Sequence, residues 1–162
     1  MVRLFRMRHR ERSLYETEIL PVAGGSAVCV MLLWTGLPVS AAENTFVHTG
    51  SPSQDILAAA ESQLGYTAPA DGAKYNHWYG AVNGSYTYSW CQTFLSWCAE
   101  QAEIGTDVFP KAVSVASAYA AFAGQKRYQK SAAQGGSYTP RAGDVAFYSE
   151  NGDADALSHV GW

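Results

Sequence analysis

The chain contains two residue types that together can hydrolyse an amide, a cysteine at position 91 and a histidine at position 159. Cys91 comes two residues after Ser89, a favoured helix-capping residue, so we expect the thiol in the first turn of a helix. Free backbone N–H groups and the helix dipole favour negative charge there and predict a thiol pKa lowered toward neutral. His159 follows a polar loop and begins a predicted strand, where it would act as general base. The pair predicts nucleophilic catalysis by Cys91, with nearby backbone N–H groups holding the oxyanion.

Plainer interpretations exist for both residues. Cys91 also fits a buried, unreactive cysteine, and His159 fits a surface histidine at the edge of a loop. On one helix, Cys91 and Cys98 would stand about 10 Å apart along the axis, whereas a disulfide needs Cα atoms within about 7 Å. We therefore expect two unpaired thiols, with Cys98 buried. The cysteine spacing and the lack of a fourth ligand disfavour a zinc site with His159, so no metal and no cofactor is expected.

The N-terminal segment has the order of a secretory signal peptide. A start with five arginines is followed by an apolar run over 19–37 and then by small residues. This order predicts a leader over 1–41, cleaved after Ala41 or Ala42, and a linker over 42–50. The alternative is a retained membrane anchor, which the proline and glycines within the apolar run disfavour, since a spanning helix needs about 20 apolar residues.

The charge changes sign at this boundary. The chain as a whole has a formal net charge of −3, and the leader has five Arg against three Glu. The remainder, with six basic and eleven acidic residues, therefore has a charge of −5. Nucleic-acid binding depends on clustered Lys and Arg, so a nucleic-acid partner is not expected. Stable membrane association is not expected either, once the leader is removed.

Three helices are predicted before the strands, over 51–64, 89–104 and 113–123. In the first, Ser51 is the expected N-cap, Pro52 suits the first turn, and Gln54 would complete a capping box. Gly65 is the expected end of that helix. The segment from Tyr66 to Tyr88 shows no regular period, and we predict a long ordered loop there.

Strands are predicted over 127–129, 144–148 and 157–162. A hairpin centred near Asp153 would place Asp144 opposite Trp162 and about 10 Å from His159, too far to orient the imidazole. Helices followed by strands predict an α+β fold with an antiparallel sheet. Because two or three short strands do not make a stable sheet, we expect the sheet to be truncated, with further strands after Trp162.

The ten Tyr and five Trp include candidates for the wall of a substrate groove. The groove candidates are Tyr75, Trp78, Tyr79 and Trp90, although half of the aromatic residues in this region are expected to be core. His77 is expected to pack or to line the groove, and His48 to lie in the linker. The acidic loop over 150–155 lacks the EF-hand pattern, so a solvated turn is expected there in preference to a calcium site.

Five motifs occur in a fixed order along the chain. They are Ala60-Glu61-Ser62-Gln63-Leu64-Gly65-Tyr66, Lys74-Tyr75 with Trp78-Tyr79-Gly80, Trp90-Cys91 with Phe94 and Ser96-Trp97-Cys98, Pro140 with Gly143-Asp144-Val145, and His159-Val160-Gly161. Together they resemble the CHAP domain, a family of cysteine- and histidine-dependent amidohydrolases and peptidases related to the NlpC/P60 and papain-like group. The likeness covers about 56–162 and implies a papain-like catalytic domain over 51–162.

The resemblance also implies a function and a departure from the family pattern. It implies cleavage of bacterial peptidoglycan at a stem-peptide bond or at the sugar–peptide amide, with Cys91 as nucleophile and His159 as base. Gln92 stands where the family more often has a small residue. The polar residue that holds the histidine in such enzymes falls on a later strand and does not occur before Trp162.

The predicted function is therefore that of a secreted peptidoglycan hydrolase, either a stem-peptide endopeptidase or an N-acetylmuramoyl-L-alanine amidase. Two alternatives stay open at this point. One is a non-catalytic or truncated cell-wall-binding module, and the other is a thiol hydrolase or transferase acting on a substrate outside the wall.

Overall fold

The computed structural model describes residues 2–6, 46–149 and 156–162, and it has the α+β fold predicted from the sequence. The helices within these ranges are α1 (Pro52–Glu61), α2 (Lys74–Tyr79), α3 (Cys91–Gln101) and α4 (Val115–Gly124), with a short 3-10 helix over Ala132–Gln134. The strands are β1 (Val2–Arg6), β2 (Tyr128–Gln129), β3 (Val145–Ser149) and β4 (Leu157–Gly161). None of the helices in this part of the chain is long and apolar enough to cross a membrane.

The predicted antiparallel pairing of β3 with β4 is confirmed, but its register differs by one residue from the prediction. Ala146 lies opposite Gly161, and Tyr148 lies opposite His159. A slip of one residue exchanges the two faces of a strand, so the cross-strand neighbour of His159 is Tyr148. Asp144 lies four residues before Tyr148 along the chain, about 13 Å at the rise of an extended strand.

Asp144 lies in the turn just before β3, and its backbone N–H donates to the Arg141 carbonyl at 3.0 Å. Its carboxylate accepts hydrogen bonds from the Tyr138 hydroxyl and from the Arg141 backbone N–H, both at 2.8 Å. Partial burial raises the pKa of this carboxyl, but several lowering effects, foremost these two hydrogen bonds, hold the pKa below its usual range. The side chain thus fixes the turn that leads into β3 and is not available to His159.

The sheet contains one strand that the sequence did not predict. Its order is β2-β1-β3-β4, and β1 runs parallel to both of its neighbours. The pairing with β3 extends from Val2 opposite Val145 to Arg6 opposite Ser149. These residues fall inside the predicted leader. Its apolar run, its cleavage region and the first part of the linker lie outside the described residues.

The start of α1 is held differently from the predicted capping box. Ser51 is the N-cap residue, but its side chain makes no capping hydrogen bond. The carboxylate of Asp55 instead accepts hydrogen bonds from the Thr49 backbone N–H (2.7 Å) and the Thr49 hydroxyl (2.8 Å). Gly65 has a positive φ of 84°, which a glycine tolerates, and lies in the turn after the helix.

The prediction of a continuous loop over 66–88 was wrong, because this segment contains α2. The helix has only six residues, too few for a 3.6-residue period to stand out from the flanking aromatic residues. Its buried residues are Tyr75 and Asn76. Together, α2 and α3 pack their buried side chains into the core shared with the sheet, which includes Leu95, Cys98, Phe122, Phe147 and Val160.

Candidate active site

Cys91 is the first residue of α3, as the sequence predicts, but the residue that caps the helix is different. The N-cap is Trp90, whose carbonyl accepts the first helical hydrogen bond from the Phe94 N–H at 2.9 Å. Trp90 makes no side-chain capping bond, and Ser89 lies one position too early to be the cap. The thiol therefore sits where backbone N–H groups have no partner in the preceding turn.

The predicted lowering of the thiol pKa was wrong in its net direction. Burial of the half-buried Cys91 side chain raises its pKa above the ordinary value of 9.0. Backbone N–H groups of Gln92, Val160 and Cys91 itself favour the thiolate, but they do not outweigh burial. The resting side chain is thus a neutral thiol at neutral pH, and a base must take its proton when it attacks.

His159 lies on β4, and its side chain is exposed. His159 and Cys91 line the same cavity, which has a volume of about 540 Å³. The other lining residues are Ser89, Trp90, Phe94, Leu95, Ser158, Val160, Gly161 and Trp162. The cavity thus brings together two side chains that are 68 positions apart in the sequence.

Within the described residues, no hydrogen bond joins the Cys91 sulfur to the His159 imidazole. The ring of His159 instead lies beside that of Tyr148, with centroids 5.7 Å apart and planes at 34°. Catalytic contacts are often open in a protein without substrate and close in the substrate complex. The two residues thus share a cavity without a hydrogen bond between them.

Of the four predicted groove residues, Trp90 lines the Cys91 cavity. Trp90 and Phe94 also line a second cavity of about 320 Å³, together with Tyr75 and residues of the turn after α1. Tyr75 is only 1% exposed and packs against Trp90, Phe94 and Trp97, with ring centroids 4.9 to 5.4 Å apart. Tyr75 is therefore a core residue whose contacts support the groove wall from beneath.

Trp78 and Tyr79 are not among the residues that line either of these cavities. The Trp78 indole N–H donates to Glu100 at 2.9 Å, and the Lys111 ammonium lies 4.0 Å from the centre of the same ring. Lys111 also lies 3.9 Å from Glu100, which completes a closed surface cluster. Trp78 and Tyr79 therefore pack at the contact between α2, α3 and the segment after α3, where both rings lie near Lys111.

Asn76 is a positioning residue that sequence reasoning missed. Its buried amide donates to the carbonyls of Tyr86 (2.8 Å) and Tyr88 (2.7 Å), and its carbonyl oxygen accepts from the Thr93 hydroxyl (2.6 Å). These bonds tie α2 to the segment leading into α3 and to the first turn that carries Cys91. A lone asparagine among aromatic residues gives no pattern to detect, and only its burial shows the role.

Gln92 follows Cys91 and is buried in the core. Its amide nitrogen donates to the Ser96 hydroxyl at 3.2 Å. Its carbonyl oxygen and the Trp162 indole nitrogen are buried and have no hydrogen-bond partner among the described residues. The Gln92 side chain thus packs in the core beneath Cys91. Its backbone N–H favours the Cys91 thiolate.

The remaining predicted residues lie away from the Cys91 cavity. Cys98 is buried and both described cysteines are free thiols, which confirms the expectation for this residue. His77 stacks on Tyr86 with ring centroids 4.2 Å apart, and His48 lies 3.6 Å from the Asp55 carboxylate. No group of three His, Cys, Asp or Glu side chains suited to a metal occurs in ranges 46–149 and 156–162. The acidic loop over 150–155 lies outside the described residues.

A helix that begins with a cysteine and packs against an antiparallel strand pair bearing a histidine is an α+β arrangement compatible with the papain-like group. The family model of the CHAP domain matches residues 82–162, half of the chain, and the chain belongs to this family. CHAP domains in general are amidases and peptidases that act on peptidoglycan. Comparison with curated proteins and with solved structures gives no match.

Proposed function

We propose that the protein is a secreted cysteine hydrolase that cleaves an amide bond of bacterial peptidoglycan. The observation that carries this proposal is that Cys91 and His159 line one cavity of about 540 Å³. The family supplies the substrate class, since CHAP domains act on peptidoglycan. The bond is either within the stem peptide or between the sugar and the peptide.

The proposed reaction uses the neutral thiol that burial favours. His159 takes the Cys91 proton as the sulfur attacks the amide carbonyl, and backbone N–H groups at the start of α3 hold the oxyanion. The tetrahedral intermediate then collapses: the C–N bond breaks, His159 gives its proton to the leaving amine, and a thioester remains. Water, deprotonated by His159, attacks the thioester, and the thiol is restored as the carboxylic acid leaves.

Secretion belongs to the same proposal. The N-terminal segment has the order of a cleaved leader, and an enzyme of this substrate class must reach the wall. Removal of residues 1–41 takes β1 with it and leaves β4 as the only described strand paired with β3. The mature sheet would then present an unpaired β3 edge, which is a site for pairing with another strand.

The proposal is tested with purified peptidoglycan and the exported protein. The wild type should release soluble fragments with new amino or carboxyl ends, which mass spectrometry would assign to a stem-peptide bond or to the sugar–peptide amide. Cys91→Ala should release none while keeping the wild-type circular dichroism. Cys98→Ala is the matched control, because Cys98 is buried away from the cavity, and it should retain activity if the variant folds.

One observation favours a second candidate, a wall-binding module without turnover. Cys91 and His159 line one cavity, yet no hydrogen bond joins their side chains within the described ranges. Such a module would sediment with insoluble wall in both the wild-type and the Cys91→Ala form and release nothing. Fragment release that depends on Cys91 would exclude it.

A further inference from the structure

We propose that Tyr148 is a positioning residue for His159, holding the imidazole through contact between the two rings. This inference rests on the proposed function, in which His159 is the base. Sequence reasoning looked for a polar partner on a later strand. The structure points to an aromatic partner on the preceding strand.

The first support is the strand register. Tyr148 and His159 are directly opposed in the β3–β4 pair, so their side chains leave the sheet on the same face. Their ring centroids are 5.7 Å apart at 34°, within the range of attractive ring contacts. Tyr148 is half-buried whereas His159 is exposed, so the tyrosine is the more restrained of the two rings.

The second support is the glycine that follows along β4. A Cβ built on Gly161 would lie 3.9 Å from Tyr148 Cε2 and 4.0 Å from His159 Nε2. The two rings therefore converge above Gly161, with the imidazole Nε2 over this backbone position. Gly161 lines the same cavity as Cys91, so Nε2 lies over a residue of that cavity's wall.

The third support is the environment of the imidazole. No hydrogen bond or ion pair to His159 occurs among the described residues, and Asp144 is engaged with Tyr138 and Arg141. The contact with Tyr148 is the one ring contact of His159 found there. An exposed imidazole without such a contact samples several rotamers, and a misplacement of about 1 Å can cost about 100-fold in rate.

The kinetic test compares Tyr148→Leu with Tyr148→Phe. Loss of the ring should lower kcat for wall hydrolysis at least about tenfold with KM unchanged, because the base is misplaced while the groove is kept. The phenylalanine variant keeps the ring and should stay within about twofold of the wild type. Tyr86→Leu is the matched control, since it removes another ring stacked on a histidine, His77, away from the cavity.

A second measurement does not depend on activity. The ring protons of His159, assigned by nuclear magnetic resonance with a His159→Gln variant, should shift in Tyr148→Leu and stay near their wild-type position in Tyr148→Phe. If Tyr148→Leu does not fold, Tyr148→Met replaces it as the aliphatic variant. This measurement also separates the two proposals: a wild type without hydrolysis contradicts the proposed function, while unchanged His159 signals in Tyr148→Leu would contradict the ring contact on which the role of Tyr148 depends.

Wild-type kcat in the aliphatic variant, or unchanged His159 ring signals, would overturn the inference. An equal loss in Tyr148→Phe would also overturn it, because the hydroxyl and not the ring would then be responsible. A rise in KM with kcat unchanged would place Tyr148 in substrate binding and contradict a positioning role.

Discussion

Cys91 at the start of α3 and Val160 on β4 line the same cavity, and the backbone N–H of Val160 favours the Cys91 thiolate and so lowers the thiol pKa against burial. Val160 follows His159 on β4, is buried, and lies opposite Phe147 of β3. The strand that bears the proposed base is thus held directly against the start of the helix that bears the nucleophile. The packing of α3 against β4 thus brings Cys91 and His159 to one cavity.

The reactivity of Cys91 should follow its raised pKa. In the free protein, the rate of alkylation by iodoacetamide is expected to increase through pH 9 and to reach half its maximum above 9.0, because burial disfavours the thiolate. Mass spectrometry of digested protein would follow modification of Cys91, with the buried Cys98 as internal control. A half-maximal rate near neutral pH would show instead that the helix start and His159 dominate over burial.

Loss of the Asn76 amide should destabilise the fold around the site. Asn76→Ala leaves the carbonyls of Tyr86 and Tyr88 without their side-chain donor and the Thr93 hydroxyl without one of its two acceptors, and the free energy of unfolding should fall by about 2–4 kcal/mol. Urea denaturation measures this change. Asn83→Gly is a suitable control, since Asn83 is exposed and has a positive φ of 51° that glycine adopts; an equal loss in both variants would contradict the role of Asn76.

Substitution should show which of the predicted groove residues contacts substrate: Trp90 is expected to affect KM and Trp78 is not. Trp90→Leu removes a ring that lines the Cys91 cavity and should raise KM for wall fragments by about 3–10-fold, since an aromatic contact is worth about 0.5–1.5 kcal/mol. Trp78→Leu should leave KM within about twofold, because Trp78 is engaged with Glu100 and Lys111. Steady-state kinetics on the same fragments would measure both KM values. A larger rise in KM for Trp78→Leu than for Trp90→Leu would contradict the prediction and place the groove over α2.

Asp55, whose carboxylate holds the start of α1, should make the free energy of unfolding fall at acidic pH. Backbone hydrogen bonding from Thr49 holds the pKa of Asp55 below its ordinary value of 3.8. A carboxyl whose pKa is depressed by folding stabilises the native state fully at pH values above the unfolded pKa, and this stabilisation is lost as the pH falls through the folded pKa. Urea midpoints should therefore drop below about pH 4 more steeply in the wild type than in Asp55→Asn. Parallel curves for the two proteins would contradict this assignment.

The parts of the fold that carry strong local signals could be predicted from the sequence. The helix with Cys91 at its start, the helix before Gly124 and the β3–β4 pair all have clear periodicity or end signals and are present. The six-residue helix α2 was hidden because it is shorter than two turns. The strand β1 was missed because its pairing is non-local and its residues have the composition of a leader.

The sequence singled out Cys91 and His159 as the candidate reactive residues, but it could not predict their surroundings. Cys91 and His159 stand out by residue type and context, and the structure places them on one cavity. The direction of the Cys91 pKa depends on how deeply the helix start is buried, a tertiary property with no local signal. For the same reason, the register that sets Tyr148 opposite His159, and the bonds of Asn76, became visible only in three dimensions.

The most direct test of Cys91 as nucleophile is to trap its thioester. Wild-type protein mixed with soluble wall fragments and quenched in acid should carry an added fragment mass on the peptide that contains Cys91 and none on Cys98, as read by mass spectrometry after peptic digestion. The Cys91→Ala protein should show neither adduct nor turnover. Hydrolysis by Cys91→Ala at the wild-type rate would contradict the assignment of Cys91 and with it the proposed mechanism.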